Sequence, residues 1–276
     1  MSSFAVTGGA SGIGEAVTRR LAGAGHRLTV LDRTPPDRCS WWAEIAPEQR
    51  GAWHTLDVTD TVAVSAVLEH PEHPLDGLVT CAGIATRENV LDVTDEQFEQ
   101  TLGINLRGTF VPARAVARHL VAAGRPGSIV TVASTAGLGY VAGLGVAYHA
   151  SKSAVVGLSR SMAGDLARYG IRVNVVAPGV VRTPMTAGQR ADQGEEQLAA
   201  RAPAGRLAEA DEIAAAVVWL LSDRSRFTTG HVLPVEGGQV AVTGAPGSGF
   251  PAAAVDTREI GHPDPYAGSV LQEVRS

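Results

Sequence analysis

Cysteine is nearly missing: only Cys39 and Cys81 occur in 276 residues, which leaves no material for a disulfide framework. Cys81 stands in an apolar, strand-like run, where a thiol serves as a small buried hydrophobe. Charge of one sign is also scarce, with 23 Lys and Arg against 28 Asp and Glu, a net charge of -5 and a pI near 5.9. That balance offers no basic footprint for nucleic acid or for an anionic membrane. No apolar run approaches the roughly eighteen residues of a membrane span, and Met1-Ser2-Ser3-Phe4 lacks the basic-then-apolar pattern of a secretory leader. There is no Gly-x-Ser-x-Gly elbow and no cluster of metal-ligand residues; His70 and His73 lie beside Pro71 and Pro74 and read as loop. These absences set aside elbow-serine acyl transfer and metal-assisted hydrolysis. They predict a soluble cytoplasmic protein with a small-molecule partner and no metal.

What is abundant is glycine, 32 residues, and hydrophobic residues at 45%, enough for a sizeable core. The apolar run Phe4-Ala5-Val6 feeds Thr7-Gly8-Gly9-Ala10-Ser11-Gly12-Ile13-Gly14, and helical spacing follows from Glu15 to Ala22. A strand, a glycine turn and a helix start form a phosphate cradle, because backbone N–H groups and the positive helix end face the anion. The next strand, His26 to Leu31, ends on Asp32, 18 positions after Gly14, where a carboxylate suits the ribose hydroxyls of an adenine nucleotide and repels a ribose phosphate. Arg33 follows directly and is a candidate for receiving such a phosphate.

Further strands are expected at Gly51 to Leu56 (followed by Asp57-Val58), Leu75 to Thr80, Gly127 to Ala133, Ile171 to Ala177 and His231 to Val235. Between them fall helices at Thr59 to Leu68, Asp95 to Ala122, Val146 to Tyr169 and Glu209 to Ser222, and a polar segment from Thr183 to Pro203 expected to be mobile over a pocket. This alternation predicts an α/β chain: a doubly wound parallel seven-stranded sheet, the Rossmann fold, with helices on both faces. Residues 1–239 read as one domain, and the Gly/Pro-rich residues 240–276 as its C-terminal extension.

In Val146-Ala147-Tyr148-His149-Ala150-Ser151-Lys152 a phenol and an ammonium stand four residues apart on one helical face. A cation there favours the ionised form of a tyrosine whose ordinary pKa is about 10. His149 points elsewhere on the helix and receives no role.

Together these motifs resemble those of the single-domain short-chain dehydrogenase/reductase family, over about Phe4 to Gly238. Thr7-Gly8-x-x-x-Gly12-x-Gly14 resembles its cofactor loop, which includes Ser11 and Ile13, and Asp57-Val58 its adenine contact. Ala82-Gly83 resembles the end of its Asn-Asn-Ala-Gly turn, with Thr80 and Cys81 replacing the asparagines. Asn105, Ser134, Tyr148 and Lys152 match its catalytic tetrad, and Pro178-Gly179, Val181 and Thr183 its nicotinamide-side turn. The resemblance implies hydride transfer between a nicotinamide cofactor and a secondary alcohol or ketone. In it Tyr148 is the general acid/base, Lys152 lowers the tyrosine pKa and holds the nicotinamide ribose, Ser134 orients the substrate oxygen, and Asn105 holds a water.

Asp32 selects NAD; an NADPH-dependent biosynthetic ketoreductase is the alternative, and a non-catalytic dinucleotide sensor a weaker one. The pocket wall from Ile84 to Arg87, Leu138 to Val146 and Val180 to Gln189 suits a compact, apolar or cyclic alcohol, with Arg87 available to a carboxylate. The family expectation is a homotetramer built through the Asn105 and Tyr148 helices, with Ser153, Ala154, Gly157 and Ser161 permitting close approach. Phe250, Ile260, Tyr266, Val270 and Leu271 are expected to pack across a subunit boundary.

Overall fold

The computed structural model describes residues 1–242 of the chain. Among them nine strands occur: β1 (Ser3–Thr7), β2 (Arg27–Asp32), β3 (Arg50–Thr55), β4 (Gly77–Thr80), β5 (Gly127–Val132), β6 (Ile171–Pro178), β7 (Val181–Arg182), β8 (Ala208–Glu209) and β9 (Val232–Val235). β7 and β8 pair with each other, and the other seven form one parallel sheet in the order β3-β2-β1-β4-β5-β6-β9. The reversal of order falls between β1 and β4, whose register joins Val6 to Val79 and Thr7 to Thr80. Such a switch point opens a crevice beyond the strand ends.

Alternate residues of each central strand serve opposite faces, and both faces are covered, so β1 and β4 are buried at every position. Phe4, Val6, Val79 and Val130 meet Val17 and Leu21 of α1 (Gly12–Gly23) and Ile213, Val217 and Leu220 of α9 (Ala210–Leu221). Ala5, Leu78 and Ile129 meet Val64 and Leu68 of α3 (Thr61–Glu69), Val116 and Leu120 of α5 (Gly108–Ala122) and Met162 of α6 (Val146–Leu166). Asp60 caps α3 by accepting the Ala63 N–H. Gly170, at φ 72°, closes the short 3₁₀ extension Ala167–Tyr169 that follows α6.

The long helix expected from Asp95 to Ala122 spans those residues and widens once: α4 (Asp95–Leu102) continues through a π turn, Gly103–Arg107, into α5. Within the π turn buried Asn105 directs its amide to groups outside the helix. The polar segment 183–203 forms α7 (Pro184–Gln193) and α8 (Glu195–Ala199). Thr183 caps α7, with its side chain and that of Thr186 exchanging bonds with the backbone, Pro184 starts the helix and Gly194, at φ 79°, ends it. Periodicity misses α2 (Ser40–Glu44), which packs Trp41 tilted and Trp42 edge-on against Trp53 of β3 at centroid distances of 5.9 and 5.1 Å. The expected subunit contacts of Phe250, Ile260, Tyr266, Val270 and Leu271 lie outside the described residues.

Candidate active site

The glycine loop joins β1 to α1 at the switch point, and its glycines are there because nothing larger fits. A Cβ on Gly14 would stand 2.0 Å from the Gly8 carbonyl oxygen, and one on Gly8, at φ 67°, 2.6 Å from the Ala82 amide nitrogen. Beyond the loop lies a cavity of about 490 Å³. Gly8, Ser11, Gly12, Ile13, Gly14, Asp32, Arg33, Asp57, Val58, Ala82, Gly83 and Thr183 all line it. A concave space of this size, floored by backbone too close for side chains and opening on a helix start, fits a dinucleotide.

At one end of the cavity Asp32 accepts N–H bonds from Ala10 at 3.0 Å and Thr34 at 2.8 Å, which aim its carboxylate. Arg33 turns instead toward Asp57, 3.8 Å away. Burial would raise the Asp57 pKa, but two bonds from Thr59 and the Arg33 charge outweigh it and hold the carboxyl below its ordinary value. Arg38 also lines this end, brought back by the turn before α2. Sequence reading missed it, because nothing in the spacing of Pro35-Pro36-Asp37-Arg38 marks a residue that returns to the cavity.

At the other end, a Cβ on Gly83 would lie 3.1 Å from Asn105 Oδ1 and 3.7 Å from Lys152 Nζ, so the cavity abuts a polar cluster. Asn105 Oδ1 accepts the Ile84 N–H at 2.8 Å, while its Nδ2 donates to the Ile84 carbonyl and the Ser151 hydroxyl, both at 3.0 Å. The π turn is what lets one amide join three partners on two other elements. Lys152 Nζ donates to the Val132 carbonyl at 3.0 Å, just before Ser134 on the strand that feeds the site. Ser134 accepts the Ala136 N–H and hydrogen-bonds Tyr148. Asn105, Ser134, Tyr148 and Lys152 are thus brought together and all are buried. Pro178, Gly179 and Val181 do not line the cavity: Gly179 packs on Glu236 and Gln239, and Val181 pairs with Ala208.

The electrostatics correct one expectation. Burial raises the Tyr148 phenol above its ordinary value, opposed by the Ser134 hydrogen bond, instead of Lys152 drawing it down. Burial also lowers Lys152 to about 8, partly offset by Cys81, whose own thiol burial pushes up to about 12. Because this value lies below the ordinary 10.5, folding disfavours the lysine's proton. The cost is complete below about pH 8 and fades as pH rises toward the unfolded lysine value. Lys152→Met is therefore expected to melt at or above the wild-type temperature near pH 6, with its relative advantage shrinking above pH 8. Paired thermal melts across that range check it, and a variant increasingly favoured at alkaline pH would overturn it.

His149 also departs from expectation, since both of its ring nitrogens are hydrogen-bonded to backbone. Arg87 is paired with Asp192 of α7 at 2.7 Å, which ties the wall after Gly83 to the helix over the site.

Residues 8–239 match the family described as enoyl-(acyl carrier protein) reductase. The chain is 35% identical over 250 residues to (3R)-3-hydroxyacyl-CoA dehydrogenase of Canis lupus familiaris, covering 84% of this chain and 94% of that protein. It is 39% identical over 241 residues to cis-4-hydroxycyclohexanecarboxylate dehydrogenase of Sinomonas cyclohexanicum, covering 86% and 96%. The chain belongs to the short-chain dehydrogenase/reductase family. Family membership makes it an oxidoreductase acting on CH–OH groups with a nicotinamide dinucleotide. Among solved family structures, a putative 2-deoxy-D-gluconate 3-dehydrogenase from Agrobacterium tumefaciens with bound NADP is similar at a TM-score of 0.79 and 32% identity, covering 87% of this chain and 96% of that one. Among the described residues no helix is long and apolar enough to cross a membrane, and no group of three or more His, Cys, Asp or Glu residues could hold a metal ion.

Proposed function

We propose that this enzyme moves a hydride between NAD(H) and a compact, largely apolar or cyclic secondary alcohol or its ketone. The observation that carries the cofactor choice is Asp32, aimed into the cavity by Ala10 and Thr34 while the adjacent cation of Arg33 is drawn toward Asp57. A carboxylate so placed accepts both ribose hydroxyls and repels a phosphate on either. Bound in the cavity, the nicotinamide supplies the hydride acceptor for oxidation and the donor for reduction.

The protein's own part is to hold and move the proton. Tyr148 takes the alcohol's proton or returns it to the ketone oxygen, and Ser134, already bonded to it, orients that oxygen. Lys152, held on the Val132 carbonyl, supplies positive charge beside the site and grips the nicotinamide ribose. Asn105 fixes the turn at Ile84 against α6 through Ser151, and its carbonyl side holds the water expected near Lys152. Substrate shape is supported by Val141 and Leu144, which pack on Tyr148, and by the ring alcohol named for the Sinomonas relative. Exposed Ser153, Gly157 and Ser161 on α6, with open space at Gly157, support a homotetramer assembled through this helix, and the two free cysteines are consistent with a reducing cytoplasm.

A second reading, an NADPH-dependent ketoreductase, is favoured by Arg33 and Arg38 on the cavity wall and by the NADP in the Agrobacterium structure. Initial rates with NAD and NADP over secondary and cyclic alcohols separate the two. We expect NAD to be preferred at least about tenfold in kcat/KM, and Asp32→Ser to erase that preference by removing the repulsion. A wild type that prefers NADP would replace the first reading by the second.

A further inference from the structure

His149 occupies the position after Tyr148, and its ring is engaged on both sides. Nδ1 lies 2.9 Å from the Gly145 carbonyl, and Nε2 3.0 Å from the Val141 amide nitrogen. A carbonyl only accepts and an N–H only donates, so the contacts assign the tautomer: the proton is on Nδ1 and the lone pair of Nε2 takes the Val141 N–H. Tyr140 stacks on the same ring at 5.6 Å with 10° between planes. One imidazole thus ties Val141, inside the loop 139–145, to Gly145 at its end.

That loop is the wall of the site. Val141 and Leu144 pack on Ala136 and Tyr148, Arg201 donates to the Ala142 carbonyl, and a Cβ on Gly143 would stand 3.3 Å from Gln193 of α7. Gly145 is also tied to the Thr86 carbonyl. Both ring nitrogens face backbone, so removing the ring removes both bonds at once.

Resting on the dehydrogenase reading, we propose that His149 is a positioning residue whose two ring hydrogen bonds pin the loop 139–145 against Tyr148, and that loss of this clamp weakens substrate binding.

The test has two arms. Hydrogen exchange at the Val141 amide, compared at one pH, is expected to be at least about tenfold faster in His149→Phe than in the wild type, because phenylalanine keeps a ring against Tyr140 and loses both hydrogen bonds. With cyclohexanol as the probe at the same pH, KM is expected to rise several-fold in the variant while kcat changes less than about twofold. An amide equally protected in both proteins, or a variant that loses kcat at unchanged KM, overturns the proposal. Absence of turnover with every alcohol would sink the dehydrogenase reading and leave the exchange arm to decide the role of His149.

Discussion

Tyr148→Phe is expected to lower kcat by about 10² to 10⁴-fold while leaving NADH affinity within about twofold. The ring stays in its buried place against Ala136, Val141 and Leu144, so the packing that shapes the site survives and only the hydroxyl is lost. Without it no group beside Ser134 exchanges the substrate proton, and the developing charge on the substrate oxygen is met by one hydrogen bond instead of a proton transfer. Steady-state rates alongside NADH fluorescence titration make the measurement. A phenylalanine variant that keeps a tenth or more of the wild-type rate would falsify the assignment of Tyr148 as acid/base.

Gly14→Ala is expected to be nearly as damaging, by a different route. The new methyl would meet the Gly8 carbonyl oxygen at 2.0 Å and its carbon at 2.8 Å, and neither backbone atom can swing aside as a side-chain tip would. Gly8 cannot retreat freely, since its own Cα region is already packed on the Ala82 backbone. The loop must deform, at a cost of about 1–3 kcal/mol, and the N–H groups that face the cofactor phosphates move with it. Chemical denaturation is expected to show the destabilisation, and calorimetry at least about a tenfold loss in dinucleotide affinity. Gly23→Ala is the control: it lies on the same helix with nothing within 4 Å, and there alanine is expected to be neutral or slightly stabilising. Equal effects at Gly14 and Gly23 would mean that close approach is not what the loop requires.

Much of the scaffold was legible because it obeys local rules. Continuous apolar runs such as Leu78-Val79 and Ile129-Val130 suit strands of a parallel sheet covered on both faces, and those strands occur where the runs are. The glycine loop, Asp32 and the Tyr148–Lys152 pair were legible for a similar reason: each is a short spacing tied to a fixed geometry of turn, strand end or helix. Where the structure adds to expectation, the deciding contacts lie far apart in sequence. The π turn at Asn105 faces Ile84 and Ser151, which are 21 and 46 residues away. α7 owes its start to Thr183, a visible signal, and is tied down by Arg87 reaching Asp192 from 105 residues before it.

By itself, then, the sequence determined the element order, the dinucleotide cradle and the identity of the polar residues at the strand ends, since these depend on backbone sterics and period. Tertiary structure alone decided that Arg38 returns to the cavity, that Arg33 leans to Asp57, that His149 clamps the loop beside Tyr148, and which way burial moves Tyr148 and Lys152. A side chain's partners and its desolvation are set by what the whole fold brings against it, and neither is encoded in the residues on either side.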